Sequence, residues 1–493
     1  MERPLFPVTK SLASIASLLG VQTKSGDLLI SGMTHNSTEI QEGDLFLAFA
    51  GEKFHGARFA KDAKKLGAKA VLTDAEGSML CEGMPVVVVE NPRSAAGDLS
   101  AWFYGEPTRD IFSVGITGTN GKTTTSTLLH QIWTHAGHES GLIGTVETRI
   151  GRDVVASKRT TPESADLQAL VATMRERHVR NLAMEVSSHA MSLSRIKGSH
   201  FNIAAFTNLT QDHLDFHHTM EEYFQAKASF FTFEYADLAI INGDTEFGTR
   251  LLGQTQLPTV RISRYDVKAD WSYVNAVATS AGFDVAIRGV GGILIEGSIP
   301  FHGNFNLDNV LLAVAIAFES GVDSLDIAGA LAVLTGAQGR LEPINIGQNF
   351  RAFVDYAHSP DAVSRVLSAC REMTDGKVIA VLGCGGDRDS SKRPLMGEAL
   401  VAGSDIAIFT SDNPRSEDPE KILRQMVDSV ELSTTRRVVL DRKTAIEQAV
   451  KVANDGDVVI ILGKGHELGQ EILGIIHPFD DRLLLAQAIE GRS

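Results

Sequence analysis

The sequence predicts an α/β protein of three domains whose central sheet is mostly parallel and wound with helices on both faces. Three observations support this. At 493 residues the chain exceeds what one hydrophobic core serves. Short β-branched runs alternate with helical stretches along its length. Several of those runs end in glycine-rich turns, as strands do when their carboxyl ends face a ligand.

The first segment, residues 1–107, carries strand-like runs at Asp44–Phe49, Ala70–Leu72 and Val86–Val89 and a helical stretch at Ala57–Leu66. It reads as a small α/β unit, with Gly105-Glu-Pro-Thr108 as its linker. The second, residues 108–336, opens with the strand Ile111–Ile116, a glycine turn and a helix from Lys122 to about Ala136. That helix would place Leu128, Leu129, Ile132, Trp133 and Ala136 on one apolar face. Strands at Asn181–Val186, Ile203–Phe206 and Leu238–Ile241 follow, and the helix Asn309–Phe318 closes the unit. Gly336-Ala-Gln-Gly339 reads as a hinge. The third, residues 337–493, repeats the rhythm with Arg351–Asp355, a helix over Asp361–Arg371, Lys377–Gly383, Ile406–Thr410 and Val458–Leu462. Its strands end at Gly383-Cys-Gly-Gly386 and Gly463-Lys-Gly465.

Composition removes several classes. Hydrophobic residues make up 43% and charged residues 22%, the balance of a globular chain. No apolar run approaches the ~20 residues of a membrane span. The start, Met1-Glu-Arg-Pro-Leu-Phe-Pro7, lacks an apolar core of signal-peptide length, so a cytoplasmic location is expected. Cys81, Cys370 and Cys384 are far apart and form no C-x-x-C pair, which disfavours disulfides and thiolate zinc. A formal net charge of −15 without a Lys/Arg-rich tract argues against nucleic acid as a partner. A monomer acting on small molecules is the expectation.

The chemistry begins at Thr117-Gly-Thr-Asn-Gly-Lys-Thr-Thr124. A strand, a glycine turn, Lys-Thr and a helix, in that order, are what a triphosphate needs. Backbone N–H groups and the helix N-terminus face the phosphates, Lys122 reaches the outer ones, and the Thr123 hydroxyl suits Mg2+. Ile116 stands where the strict G-x-x-x-x-G-K-[ST] pattern has its first Gly. Glu185, at the end of a strand and before Ser187-Ser-His189, is placed to ligate the same metal. His213 and His217, in Thr207-Asn-Leu-Thr-Gln-Asp-His-Leu-Asp-Phe-His-His218, are four apart and could share a helix face. Without H-E-x-x-H a metalloprotease is disfavoured, and the neighbouring phosphate loop favours His213 as an Mg2+ ligand. Lys227 lies among Phe224, Phe230 and Phe231. It is either a desolvated, reactive amine or a surface lysine whose stem snorkels, and physics alone favours the surface reading.

Six motifs stand in the order found in Mur ligases: Thr117–Thr124, Glu185-Val-Ser-Ser-His189, Thr207-Asn-Leu-Thr-x-Asp-His-Leu-Asp215, Asn306-x-x-Asn309, Gly339-Arg-Leu-Glu342 and Asp355-Tyr-Ala-His358. The chain resembles that family, the makers of the peptidoglycan peptide stem, over essentially its whole length; folylpolyglutamate synthetase resembles them too. The resemblance implies an N-terminal domain that holds a UDP-sugar, a central ATP-binding domain and a C-terminal Rossmann-like domain that brings an amino acid. It also implies a reaction in which ATP phosphorylates a carboxylate and an amine displaces the phosphate. On this chain Gly118, Thr119, Asn120, Gly121, Lys122, Thr123 and Thr124 would hold ATP, with Asn309, Arg340 and Asp355 meeting the nucleotide from the domain junction. Lys122, Glu185, His213 and Lys227 would be catalytic. Thr123 and Glu185 would ligate one Mg2+, and His213 with Lys227, carbamylated into an anion, a second.

Asp412-Asn-Pro-Arg415 is similar to the signature of the members that add meso-diaminopimelate. Arg415 can grip the far carboxylate of that amino acid in a two-pronged bond, whereas a lysine side chain ends in an ammonium it would repel. Arg388, Asp412, Asn413, Pro414, Gly463 and Glu467 match the rest of that site. Ser37, Thr160, Thr161, Ser187 and Arg195 match contacts to the UDP-N-acetylmuramoyl dipeptide. The chain departs from pattern at Asn36-Ser-Thr38, at Arg159 where Asn is usual, and at Leu193. A lysine-adding ligase and a non-synthetic P-loop ATP-binding module are the alternative readings. A dinucleotide oxidoreductase is weakened because Arg388 breaks G-x-G-x-x-G after Gly383.

Overall fold

A computed structural model describes all residues except Met1, Pro7, Glu52, Ala156 and Ser493. Met1 and Pro7 of the N-terminal stretch therefore lie outside the described residues.

Three main sheets organise the chain. The first pairs Gly32–Thr34, Asp44–Leu47, Ala70–Thr73 and Val86–Val88, all in parallel. Their near-continuous apolar runs follow from burial on both faces. The stretch expected to be one helix at Ala57–Leu66 splits into a 3-10 turn, Gly56–Phe59, and a short α-helix, Ala60–Lys65. The His55 side chain accepts the Ala57 N–H and so starts the chain into the tight turn.

The second sheet has 11 strands, and its parallel part includes, in spatial order, Ser140–Ile143, Asn181–Glu185, Phe112–Thr117, Phe201–Phe206 and Ala236–Asn242. Phe112–Thr117 comes first in sequence but lies between strands reached from opposite directions. The crevice beyond its carboxyl end is thus a topological switch point, where such sheets bind ligands. The helix Lys122–His135 buries Leu128, Leu129, Ile132 and Trp133 as expected, but its polar positions Thr123–Thr127 are buried as well. The cause is the helix Asn304–Glu319, which packs against it and begins five residues earlier than the sequence pattern suggested. An antiparallel meander, Trp271–Ala278, Phe283–Arg288 and Leu294–Ile299, extends one edge.

The third sheet orders Glu342–Pro343, Arg351–Asp355, Val458–Leu462, Val378–Leu382, Ile406–Phe409 and Arg436–Val438, parallel except for the first. The first and second sheets are joined by one core in which Ala165, Ala169 and Ala172 of the helix Ser164–Glu176 pack under Leu99 and Phe103. Small residues let the helices Pro92–Phe103 and Ser164–Glu176 approach closely. Cys81, Cys370 and Cys384 are buried and free. Among the described residues no helix is long and apolar enough to cross a membrane.

Candidate active site

Gly118 and Gly121 need their missing side chains. Both have positive φ, and a Cβ would strike Thr207 Oγ1 at Gly118 and Asn309 Oδ1 at Gly121. The loop is held open from outside: Asn120 N–H donates to Asn208 Oδ1 (3.0 Å) and the Thr119 hydroxyl meets Tyr223 Oη (3.1 Å).

Two lysines converge on this loop. Lys122 Nζ donates to the carbonyls of Gly118 and Thr119, each at 2.9 Å, and Lys227 Nζ donates to the same Gly118 oxygen at 2.9 Å. The surface reading of Lys227 is thereby overturned: its side chain is 1% exposed and lies 4.7 Å above the Tyr223 ring. Sequence could not reveal this, because the packing comes from a helix more than a hundred residues downstream of the loop. Burial, reinforced by Lys122, holds the Lys227 amine well below its ordinary value of 10.5. Lys122 is also lowered, by burial first, against the attraction of Glu185.

Glu185 is fully buried at the end of its strand. Its oxygens accept from the Thr145 N–H (2.8 Å) and hydroxyl (3.0 Å). Thr161 Oγ1 donates to the Glu185 carbonyl (2.9 Å) and accepts from the Ser187 N–H (3.1 Å), so Thr161 and Ser187 are tied to the end of the strand that pairs with Phe112–Thr117. Thr160 joins through Thr145 (2.9 Å).

His213 and His217 do not share a helix face. His213 takes a left-handed conformation (φ 55°) that precedes a single turn, Leu214–His217, and His217 turns inward to Ser188 Oγ at 2.8 Å. Burial lowers His213 against the pull of Asp212, with His189 adding to the effect. Its side chain is 43% exposed, and solvent softens that shift. Among the described residues, no three His, Cys, Asp or Glu side chains are grouped to hold a metal by themselves. A cation here would share its coordination with phosphate, as Mg2+ commonly does.

The junction residues come together. Asn309, Arg340 and Asp355 line one cavity with Asn120, Gly121 and Thr124. Arg340 stacks on Tyr356 (4.6 Å) and reaches Thr123 Oγ1 (3.4 Å), while the Leu341 and Ala357 N–H groups bind the Asp355 carboxylate at 2.6 and 2.7 Å. Asp308 and Arg365 line the same cavity and had no sequence signal of their own.

A second cavity shares Tyr356 and His358 with the first. It runs between His189, Asp212 and His213 on one side and Arg388, Asp412, Asn413, Arg415, Gly463 and Glu467 on the other. Four parallel strands deliver the second set, because Asp355, Gly383, Thr410 and Gly463 all end or follow strands of the third sheet. Pro414 is not in the lining, but its carbonyl lies where a Cβ on Gly386 would sit. Asn413 Nδ2 donates to Glu467 Oε2 (2.7 Å), and Lys464, fully buried, donates to Asn413 Oδ1 (3.0 Å) and Glu467 Oε2 (2.9 Å). Burial would raise Glu467, but Lys464 and Asn413 hold it below the usual carboxylate range. Asp412 is raised by burial despite Arg442 and Lys464. Lys464 escaped notice because it reads as part of a glycine turn. Arg415 has φ 51°, donates to the Gly386 carbonyl (2.7 Å) and pairs through Nε with Glu471 (3.2 Å).

At the seam of the first two sheets, Arg195 meets Glu163 (3.0 Å) beside Thr161. A nearby cavity is lined by His35, Asn36, Glu39, Lys158, Arg159 and Glu163, whereas Ser37 is half-buried outside that lining.

The arrangement can place a polyphosphate, a carboxylate and an amine around one crevice. Comparison with known proteins agrees. Residues 29–104 match the model of the Mur ligase family catalytic domain, 116–317 the Mur ligase middle domain, and 339–465 the Mur ligase glutamate ligase domain. The UDP-N-acetylmuramoyl-L-alanyl-D-glutamate--2,6-diaminopimelate ligase of Streptomyces coelicolor is 45% identical, covering 99% of this chain and 98% of its own. The protein of the same name from Aquifex aeolicus is 40% identical over 94% of each. A solved structure of a ligase with that name superposes with a TM-score of 0.69 at 30% identity, covering 98% of this chain and 99% of its own. The chain belongs to the Mur ligase family.

Proposed function

We propose that this chain joins meso-diaminopimelate to UDP-N-acetylmuramoyl-L-alanyl-D-glutamate at the expense of ATP. The observation that carries this reading is the pair of lysines on one phosphate loop, whose cavity shares Tyr356 and His358 with a second cavity lined by Arg415 and Glu467.

The triphosphate would lie along Gly118–Thr124, with Asn309, Arg340 and Asp355 around the nucleoside. A terminal phosphoryl group leaves ATP for the substrate carboxylate, giving an acyl phosphate and ADP. The amine of diaminopimelate then attacks the acyl carbon; the C–N bond forms, the C–O bond to phosphate breaks, and the amine gives up a proton. Lys122 would balance charge on the transferring group, the kind of pre-set electrostatic help that dominates such reactions. Thr123 and Glu185, and His213 with a carbamylated Lys227, suit Mg2+, which would draw charge from the phosphate and carboxylate oxygens. Lys227 is fitted for carbamylation because its depressed amine is neutral enough to attack CO2, losing one proton as the N–C bond forms. Thr160, Thr161, Ser187 and Arg195 would orient the dipeptide, and Ser37 would serve the uridine side. Arg388 and Arg415 would grip the carboxylates of the amino acid, while Glu467 takes its distal ammonium.

Phosphate release from ATP with the UDP-dipeptide tests this, comparing meso-diaminopimelate, L-lysine and D-alanyl-D-alanine as acceptors. Turnover with diaminopimelate alone is expected. Turnover with lysine would replace the acceptor, and no acceptor-dependent release would remove the reading.

A further inference from the structure

Three arginines from different elements converge on one buried carboxylate. Arg93 Nη1 lies 2.8 Å from Glu163 Oε2; Arg159 Nη1 and Arg195 Nε lie 2.9 and 3.0 Å from Oε1. Glu163 is 5% exposed. Glu163 is the one carboxylate that all three guanidiniums touch, with Glu39 and Asp166 on the wall of the adjoining cavity. Guanidiniums repel one another, so a further anion between them would stabilise the cluster. Arg93 belongs to the N-terminal unit, at the start of the helix Pro92–Phe103, and is held there by Phe49, whose ring lies 4.7 Å away. Arg159 and Glu163 line the seam cavity. Arg195 touches the Thr161 carbonyl (3.5 Å), and Thr161 binds the Glu185 backbone beside the phosphate loop. A substrate running from the N-terminal unit to the loop would pass this point.

We propose that Arg93 and Arg159 complete, with Arg195, a two-domain seat for an anionic group of the UDP-dipeptide, and that Glu163 is the internal counter-ion that gathers the three side chains. The inference rests on the proposed substrate. Either the diphosphate or the glutamyl α-carboxylate supplies the required chemistry. Arg159 then turns a position where the family usually has a neutral amide into a charged one, and Arg93 makes the grip depend on how the two domains sit together.

The test is equilibrium binding of UDP-N-acetylmuramoyl-L-alanyl-D-glutamate, of the same nucleotide lacking D-glutamate, and of ADP, to the wild type, Arg93→Ala and Arg159→Ala. Each variant is expected to bind the full nucleotide at least about ten-fold more weakly and ADP unchanged, which also reports on folding. Loss confined to the glutamyl compound assigns the seat to the carboxylate; equal loss with both UDP compounds assigns it to the diphosphate. Variants that unfold at lower temperature but bind like the wild type would make the cluster a domain clamp and overturn the proposal. Failure of the wild type to bind either UDP compound would overturn the functional reading itself, and is read before any variant.

Discussion

The two crevices at the carboxyl ends of the second and third sheets treat positive charge differently. In the phosphate crevice, Lys122 and Lys227 donate to the same neutral carbonyl, and among the described residues neither makes an ion pair. In the acceptor crevice Lys464 pairs with Glu467 and Asn413 and Arg415 with Glu471, while Arg388 and Lys392 face the cavity without an ion pair among the described residues. The difference follows from what each would bind. A triphosphate brings enough negative charge to reward an uncompensated Lys122, whereas an amino acid with charges of both signs suits a wall that carries both.

Removing charge from the uncompensated side should cost the most. Lys122→Ala is expected to lower turnover by about a hundred- to a thousand-fold, the scale of losing one pre-set electrostatic donor. Phosphate-release kinetics would check it, and a loss below ten-fold would erase the contrast. On the balanced side, Arg415→Ala should raise KM for diaminopimelate by about ten- to a hundred-fold, as loss of a charge-assisted bond does, with KM for ATP unchanged.

Buried ionisable groups away from the crevices extend the contrast to stability. In the central unit His130 is bound to Ser140 Oγ at 2.8 Å, and burial, with Arg149 adding to it and Glu147 opposing it, pushes it down to about 4. In the C-terminal unit Arg442 and Asp481 are fully buried and paired at 2.6 Å. Because the unfolded imidazole titrates near 6.5, the unfolded state binds more protons between pH 6.5 and about 4. His130 therefore contributes stability above that window that is lost as pH falls through it, about 3 kcal/mol at most. His130→Asn should flatten the fall in Tm over this range, whereas an unchanged slope would mean that His130 is protonated at little cost. The smallest effect expected is at Glu471→Gln. Freeing Arg415 from its internal partner should lower KM for diaminopimelate a few-fold; a rise would show that Glu471 holds Arg415 in its productive pose.

The order of elements, the phosphate loop and the acceptor signature were legible along the chain because they are local: glycines at fixed spacing before Lys-Thr, β-branched runs, Asp-Asn-Pro-Arg after a strand. The helix Asn304–Glu319 starts earlier than its apolar pattern suggests because Asn304, Asn306 and Asp308 interrupt that pattern and no side chain caps its N-terminus. The His213–His217 spacing misled, since helical spacing means nothing where the backbone turns left-handed at His213. Sequence by itself determined the fold class and which residue types gather at strand ends. Tertiary structure alone decided that Lys227 is buried on Gly118, that Lys464 braces Glu467, and that Arg93 crosses a domain seam to Glu163. Those facts depend on which distant segments share a crevice, and burial and electrostatic neighbours, unlike spacing, are set only once the chain has closed around them.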